Sequence, residues 1–176
     1  MATNWGPLLL EQLTWHWDAQ LRPKLAGLTD EEYRWEPVPG SWNIRRRDDD
    51  QWVIDFQYPE PSPAPVTTIA WRLAHINVGI FGMRNAAHFG GPPISYETAV
   101  WTPHAAEALA QLDEGYARWV AGVAAMDEKR LAAPIGPAEG AFAEFSYAAL
   151  IAHINREVIH HGAEVLLLRD LYRWRT

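Results

Sequence analysis

The stretch His153-Ile-Asn-Arg-Glu-Val-Ile-His-His-Gly-Ala-Glu164 decides the fold. Residues three and four apart share one face of an α-helix. His153, Glu157 and His161 are spaced by four, and His160 falls between them. The surrounding apolar residues (Leu150, Ile151, Ile154, Val158, Ile159, Val165, Leu166 and Leu168) predict that this helix packs into a core. Imidazole and carboxylate on a buried helix face cost free energy unless something compensates them. A divalent metal does so most economically, so the stretch predicts a metal site inside a helical bundle.

Working outward, hydrophobic periodicity predicts four helices. The first runs from about Asn4 to Leu25, with a stripe of Leu9, Leu13, Trp17 and Leu21 and with Pro23 disturbing its last turn. The second starts at Thr67 or Thr68, either a good N-cap, and reaches about Ala87 with Ile69, Leu73, Ile76, Ile80 and Met83 inward. The third starts at Thr102, with Pro103 in the favoured first position, and ends near Met126. The fourth spans Ser146 to about Tyr172. The fold class expected is all-α: one domain over residues 1–176, an antiparallel four-helix bundle with long crossover loops. The link 27–66 is rich in proline, holds a candidate short strand at Trp52–Phe56, and is placed to line the mouth of a pocket.

Composition narrows the function classes. The 176 residues carry 22 acidic and 15 basic side chains, a formal net charge of -7. That balance argues against nucleic acid, which needs a basic face. The one basic cluster, Arg45–Arg47, runs directly into Asp48–Asp50 and reads as self-neutralised. There is no cysteine, so thiolate ligands, disulfides and a cysteine nucleophile are excluded. A thiol in the chemistry must arrive from outside. No apolar run approaches the roughly 20 residues of a membrane span, and the N-terminus reads as the first helix and not as a signal, so a cytoplasmic location is expected. Ten tryptophans, spread from Trp5 to Trp174, read as packing and interface residues.

His75, flanked on the second helix by Trp71, Leu73, Ile76 and Ile80, is a third candidate ligand. Combined with Glu157–His161 or with His153–Glu157, it makes a set of two imidazoles and one carboxylate. Such a set suits zinc and also non-haem Fe(II), and leaves coordination positions open. Spacing alone does not choose between the two pairs.

The segment Glu157-Val-Ile-His-His-Gly-Ala-Glu164, with TTIAWRLAHI around His75 and GLTDEEYRWEPVPGSWNIR at 27–45, resembles the DinB/YfiT-like superfamily of metalloenzymes. That resemblance implies a four-helix bundle with one histidine on helix 2 and a His-x3-His pair on helix 4. Aligned on the His-His-Gly step, Glu157 takes the first position of the pair and His161 the second, and His75 matches the remaining ligand. The resulting set is similar to the zinc site of the mycothiol-dependent maleylpyruvate isomerase bundle domain. This likeness implies a low-molecular-weight thiol cofactor, mycothiol or bacillithiol, and a thiol-transfer or isomerase type of reaction on an electrophilic small molecule. The chain ends just after the fourth helix, where that isomerase has a second domain, so the isomerase activity itself is not expected. The metal expected is zinc, with nickel, manganese or iron as alternatives.

Other histidines take lesser roles. His160 points about 100° away from His161 and is a candidate second-layer base or orienting group. His153, Arg156 and Glu164 are placed to hydrogen-bond the ligands. His16 reads as a packing histidine, and His88 and His104 read as solvated. The functions in competition are a metal-dependent thiol transferase, a metal-dependent hydrolase or Fe(II) oxygenase, and a non-catalytic metal-binding bundle. A homodimer is expected in each case, with neither nucleic acid nor membrane as partner.

Overall fold

The structure, a computed structural model, describes residues 5–175. The expected helix start at Asn4 lies outside them. The chain is mostly helical with one small sheet, which departs from the all-α expectation. The first rod comprises α1 (Trp5–His16), a π-helical turn (Trp17–Leu21) and α2 (Arg22–Lys24). Of the expected stripe, Leu13, Trp17 and Leu21 are buried and Leu9 is partly buried, and Leu25 extends the buried face. Pro23, which lacks an N–H to donate, falls just after the π turn, and the helix stops at Lys24.

α3 (Asp30–Tyr33) opens the long link. Its Glu32 forms a buried ion pair with Arg169, 2.6 Å from Oε1 to Nε. The link then forms β1 (Ile44–Arg46) and β2 (Trp52–Ile54), paired antiparallel with Ile44 opposite Ile54. The strand at Trp52 follows its β-branched and aromatic residues. The partner strand runs through Arg45 and Arg46, whose charges are taken up by Glu36 and Asp55 and by Asp50. Arg47 pairs with Asp49, so much of the basic cluster is neutralised by the acids that follow it.

The second rod is α4 (Ile69–His75), a π-helical stretch (Ile76–Gly82) and α5 (Met83–His88). Thr68 is its N-cap, accepting from the Trp71 backbone N–H and donating to Asn43 Oδ1. The third rod, α6 (Ala105–Ala124), begins three residues later than Thr102. The cap comes from a distant side chain: Asp30 accepts from the Ala105 N–H at 2.8 Å and from His104 Nδ1 at 2.8 Å. No sequence-local signal marks a cap supplied across 75 residues. After α7 (Glu128–Ala132) and a 3-10 segment (Pro137–Phe142), α8 runs from Tyr147 to Arg173, with Ser146 as its N-cap.

The four rods enclose one core. Leu73, Ile76 and Phe81 meet Leu112, Trp119, Ile151, Ile154 and Val158, all nearly inaccessible to solvent. Each such aliphatic or phenyl side chain contributes about 1.5–3 kcal/mol relative to an exposed one. α8 packs on both α1 and α4, which sets its imidazole and carboxylate stripe against the end of α4. No helix among the described residues is long and apolar enough to cross a membrane.

Candidate metal centre

His75 is the last residue of α4, immediately before the π-helical stretch, a deformation that often marks functional sites. Glu157 and His161 lie one turn apart on α8. One ligand atom from each of the three residues comes within 4.8 Å of the others. The two imidazole rings stand edge to face, 4.9 Å between centroids, and His161 Nε2 lies 3.5 Å from Glu157 Oε2. The candidate ligands His75, Glu157 and His161 are thus brought together, and His153 is not part of this group.

The surroundings engage one nitrogen of each ring. His161 Nδ1 lies between Glu164 Oε2 at 2.8 Å and Arg72 Nη1 at 3.2 Å, so this nitrogen is engaged by its neighbours and Nε2 faces Glu157. Arg72 lies 3.1 Å from the same Glu164 oxygen and holds that carboxylate in place. On His75, Nδ1 is engaged by the Tyr96 hydroxyl, which leaves Nε2. Gly79 makes room for this contact, since a Cβ there would fall 2.5 Å from Tyr96 Oη. Trp71 stacks on the His75 ring at 5.4 Å, and Arg72 lies over Trp71.

Electrostatics favour two neutral imidazoles. Burial, aided by the His161 and Arg72 neighbours and opposed by Glu157, pushes His75 down to about 4. Burial also lowers His161, against the opposing hydrogen bond from Glu164. Burial raises Tyr96 to about 12, so it stays a neutral phenol. Unprotonated imidazole is the form that ligates metal. Two neutral rings with free nitrogens, one carboxylate, and a carboxylate behind one ring form a donor set that fits a borderline divalent cation.

The remaining candidates divide. His153 Nδ1 lies 3.5 Å from Glu157 Oε1 and accepts from Arg156, so it flanks the ligand carboxylate as spacing suggested. His160 is exposed and stands 3.6 Å from Glu164 Oε1. With His161 and Glu164 it forms a second, more exposed group. His16 is half-buried beside Gly162 but belongs to neither group. His104 is exposed and paired with Asp30. His88 departs from its expected solvated position: its side chain is 2 % exposed and lies between the Tyr147 hydroxyl and Glu139. It closes the last turn of α5 against the 3-10 segment, a contact its loop-like sequence surroundings gave no reason to expect.

Sequence reasoning missed Tyr96 and Arg72. Tyr96 comes from an irregular link with no periodicity to assign it a face, and its signal would have been Gly79 facing an aromatic. Two cavities border the centre. One, of about 870 Å³, is lined by Trp35, Val38 and Val66 of the long link together with Arg72 and Glu164. The link therefore does wall a cleft beside the site, as its length suggested.

A family model described as the DinB superfamily matches residues 53–165, a span that contains His75, Glu157 and His161. No curated protein and no solved structure matches the chain.

Proposed function

The chain belongs to the DinB superfamily, and from that premise we propose that it is a divalent-metal-dependent enzyme whose His75, Glu157 and His161 hold the ion. The observation that carries the reading is the convergence of these three donors with Nε2 of both rings left unengaged. Zinc is the metal proposed, since two imidazoles and a carboxylate are a common catalytic zinc set. The helical rods are taken as an antiparallel four-helix bundle, and the chain as a cytoplasmic homodimer acting on a small molecule. Exposed Trp5, Trp15, Leu167 and Trp174 support an interface between copies.

The reaction proposed is transfer of a low-molecular-weight thiol, mycothiol or bacillithiol, to an electrophilic small molecule. The absence of cysteine supports it, because the sulfur must then come from a cosubstrate. A divalent cation supplies Lewis acidity, which favours the thiolate over the thiol. The protein's own groups do the rest. Glu164 and Tyr96 orient the two rings, Trp71 shields His75 from water, and His153 and His160 stand beside the cluster to take the thiol proton. The sulfur forms its bond to the electrophilic carbon as the leaving group departs with the bonding pair. The two-histidine, one-carboxylate set equally supports a hydrolase or Fe(II) oxygenase reading, and redox-active iron in the purified protein would favour the latter.

Elemental analysis of purified protein tests the first step. A divalent metal near one per chain is expected, lost in His75→Ala and Glu157→Gln. Unchanged metal in both variants overturns the site. Conjugation of monochlorobimane across mycothiol, bacillithiol and glutathione tests the second step, and no metal-dependent turnover with any thiol overturns thiol transfer.

A further inference from the structure

A second cavity, of about 480 Å³, lies along the face of α8 that carries His153 and Arg156. Its lining joins apolar side chains, among them Ile135, Phe142 and Phe145, to Arg84, Arg156 and His153. It approaches the candidate centre through His153 and Arg156. His153 Nδ1 and Arg156 Nε each lie 3.5 Å from Glu157 Oε1. Arg84 lines the same cavity and donates to the carbonyl of Gly79, one turn from His75.

The arginines have capacity to spare. Arg84 donates to the Gly79 carbonyl at 2.6 Å and meets Glu139 Oε2 at 3.3 Å, but its Nε is buried without an acceptor. A buried donor left unpaired costs free energy, so this guanidinium holds fewer partners than it can take. Glu139, also in the lining, meets Arg84 on one oxygen and lies 3.0 Å from His88 on the other. Arg156 is 69 % exposed, and the acid it approaches, Glu157, is the one a cation would engage. The cavity therefore offers an apolar wall, the exposed Arg156 guanidinium and the partly engaged guanidinium of Arg84. A singly charged carboxylate suits it better than a dianion, which would face Glu139 and Glu157.

We propose that this cavity binds the substrate of the candidate metal centre, and that the substrate is a small carboxylic acid. Its apolar body lies against Phe142 and Phe145, and its carboxylate meets Arg84 and Arg156. Guanidinium–carboxylate pairing is charge-assisted and directional, and gives selectivity over neutral isosteres. The catalytic meaning rests on the metal-centre reading, whereas the acid pocket itself is decided by binding alone.

The test titrates the full chain calorimetrically with 4-phenylbutyrate and with 4-phenylbutyramide, in zinc-loaded and in chelator-stripped forms. The acid is expected to bind at least about tenfold more tightly than the amide. In Arg156→Gln and in Arg84→Gln that preference should fall below about threefold, with amide binding kept. Thermal melting monitors folding of the Arg84 variant. If that variant does not fold, Arg156→Gln, at an exposed position, decides the matter. Equal binding of acid and amide, or a preference intact in Arg156→Gln, overturns the proposal. Arginine-dependent acid preference in a protein that holds no zinc upholds the pocket and removes only the metal-centre reading.

Discussion

At the scale of single residues, the candidate centre depends on which ring nitrogen is free. Glu164, with Arg72, engages His161 Nδ1 and so leaves Nε2 to the cluster. Outer carboxylates of this kind typically contribute 10–100-fold in metal affinity. Glu164→Gln is therefore expected to weaken zinc binding by about that factor in a competition assay with a chromophoric chelator, and undiminished affinity would remove Glu164 from the centre. His75 gives a second test. Its folded value of about 4 lies below the ordinary 6.5, so above pH 6.5 the ring is neutral in both folded and unfolded chains and carries no penalty. Between pH 6.5 and 4 the unfolded chain takes the proton first, and stability falls. The loss is on the order of 3 kcal/mol for the full shift. Metal-free His75→Asn should show a shallower decline of denaturation midpoint than wild type across that window, and parallel curves would contradict the burial assigned to this ring. His161 also falls in that direction, so the wild-type slope exceeds that of one group. Helical spacing placed His153, Glu157 and His161 on one face of a regular helix, and the choice of Glu157 with His161 came from the family resemblance. Tyr96 was not legible, because a residue on an irregular link acquires its direction only from the tertiary fold.

At the scale of elements, the ends of α3 and α8 are joined by Glu32 and Arg169, both nearly buried. Arg169 also donates to the Lys24 and Ala26 carbonyls, which fastens the close of the first rod. Arg169→Met leaves Glu32 buried without a partner, and a loss of about 3–5 kcal/mol in urea unfolding is expected. A double replacement, Arg169→Met with Glu32→Leu, should recover part of it. A single-variant loss under about 1 kcal/mol would show that solvent reaches the pair. The extent of α8 was readable from Ser146 onward, and the cap of α4 was narrowed to Thr67 or Thr68, since each lies beside the helix it serves. The start of α6 was misplaced because its cap, Asp30, lies on another element. β1 was hidden for a related reason: three consecutive arginines look solvated until Glu36 and Asp55 are brought to Arg45 by the fold.

At the scale of the whole molecule, the rods place three donors from two distant segments at one point, with clefts on both sides of it. Periodicity predicts the rods well, because burial of one face repeats along each helix. It does not predict the long link, whose turns follow individual contacts. If the exposed tryptophans serve pairing, light scattering should give twice the 19.9 kDa mass of one chain. A single-chain mass at micromolar concentration would remove the dimer. The most direct measurement is anomalous diffraction from crystals of the metal-loaded protein, recorded on both sides of the absorption edge of the bound ion. One peak is expected within bonding distance, about 2.0–2.2 Å, of His75 Nε2, His161 Nε2 and a Glu157 oxygen. A peak held by other residues, or His75 standing away from an ion bound only by α8, would contradict the proposed centre.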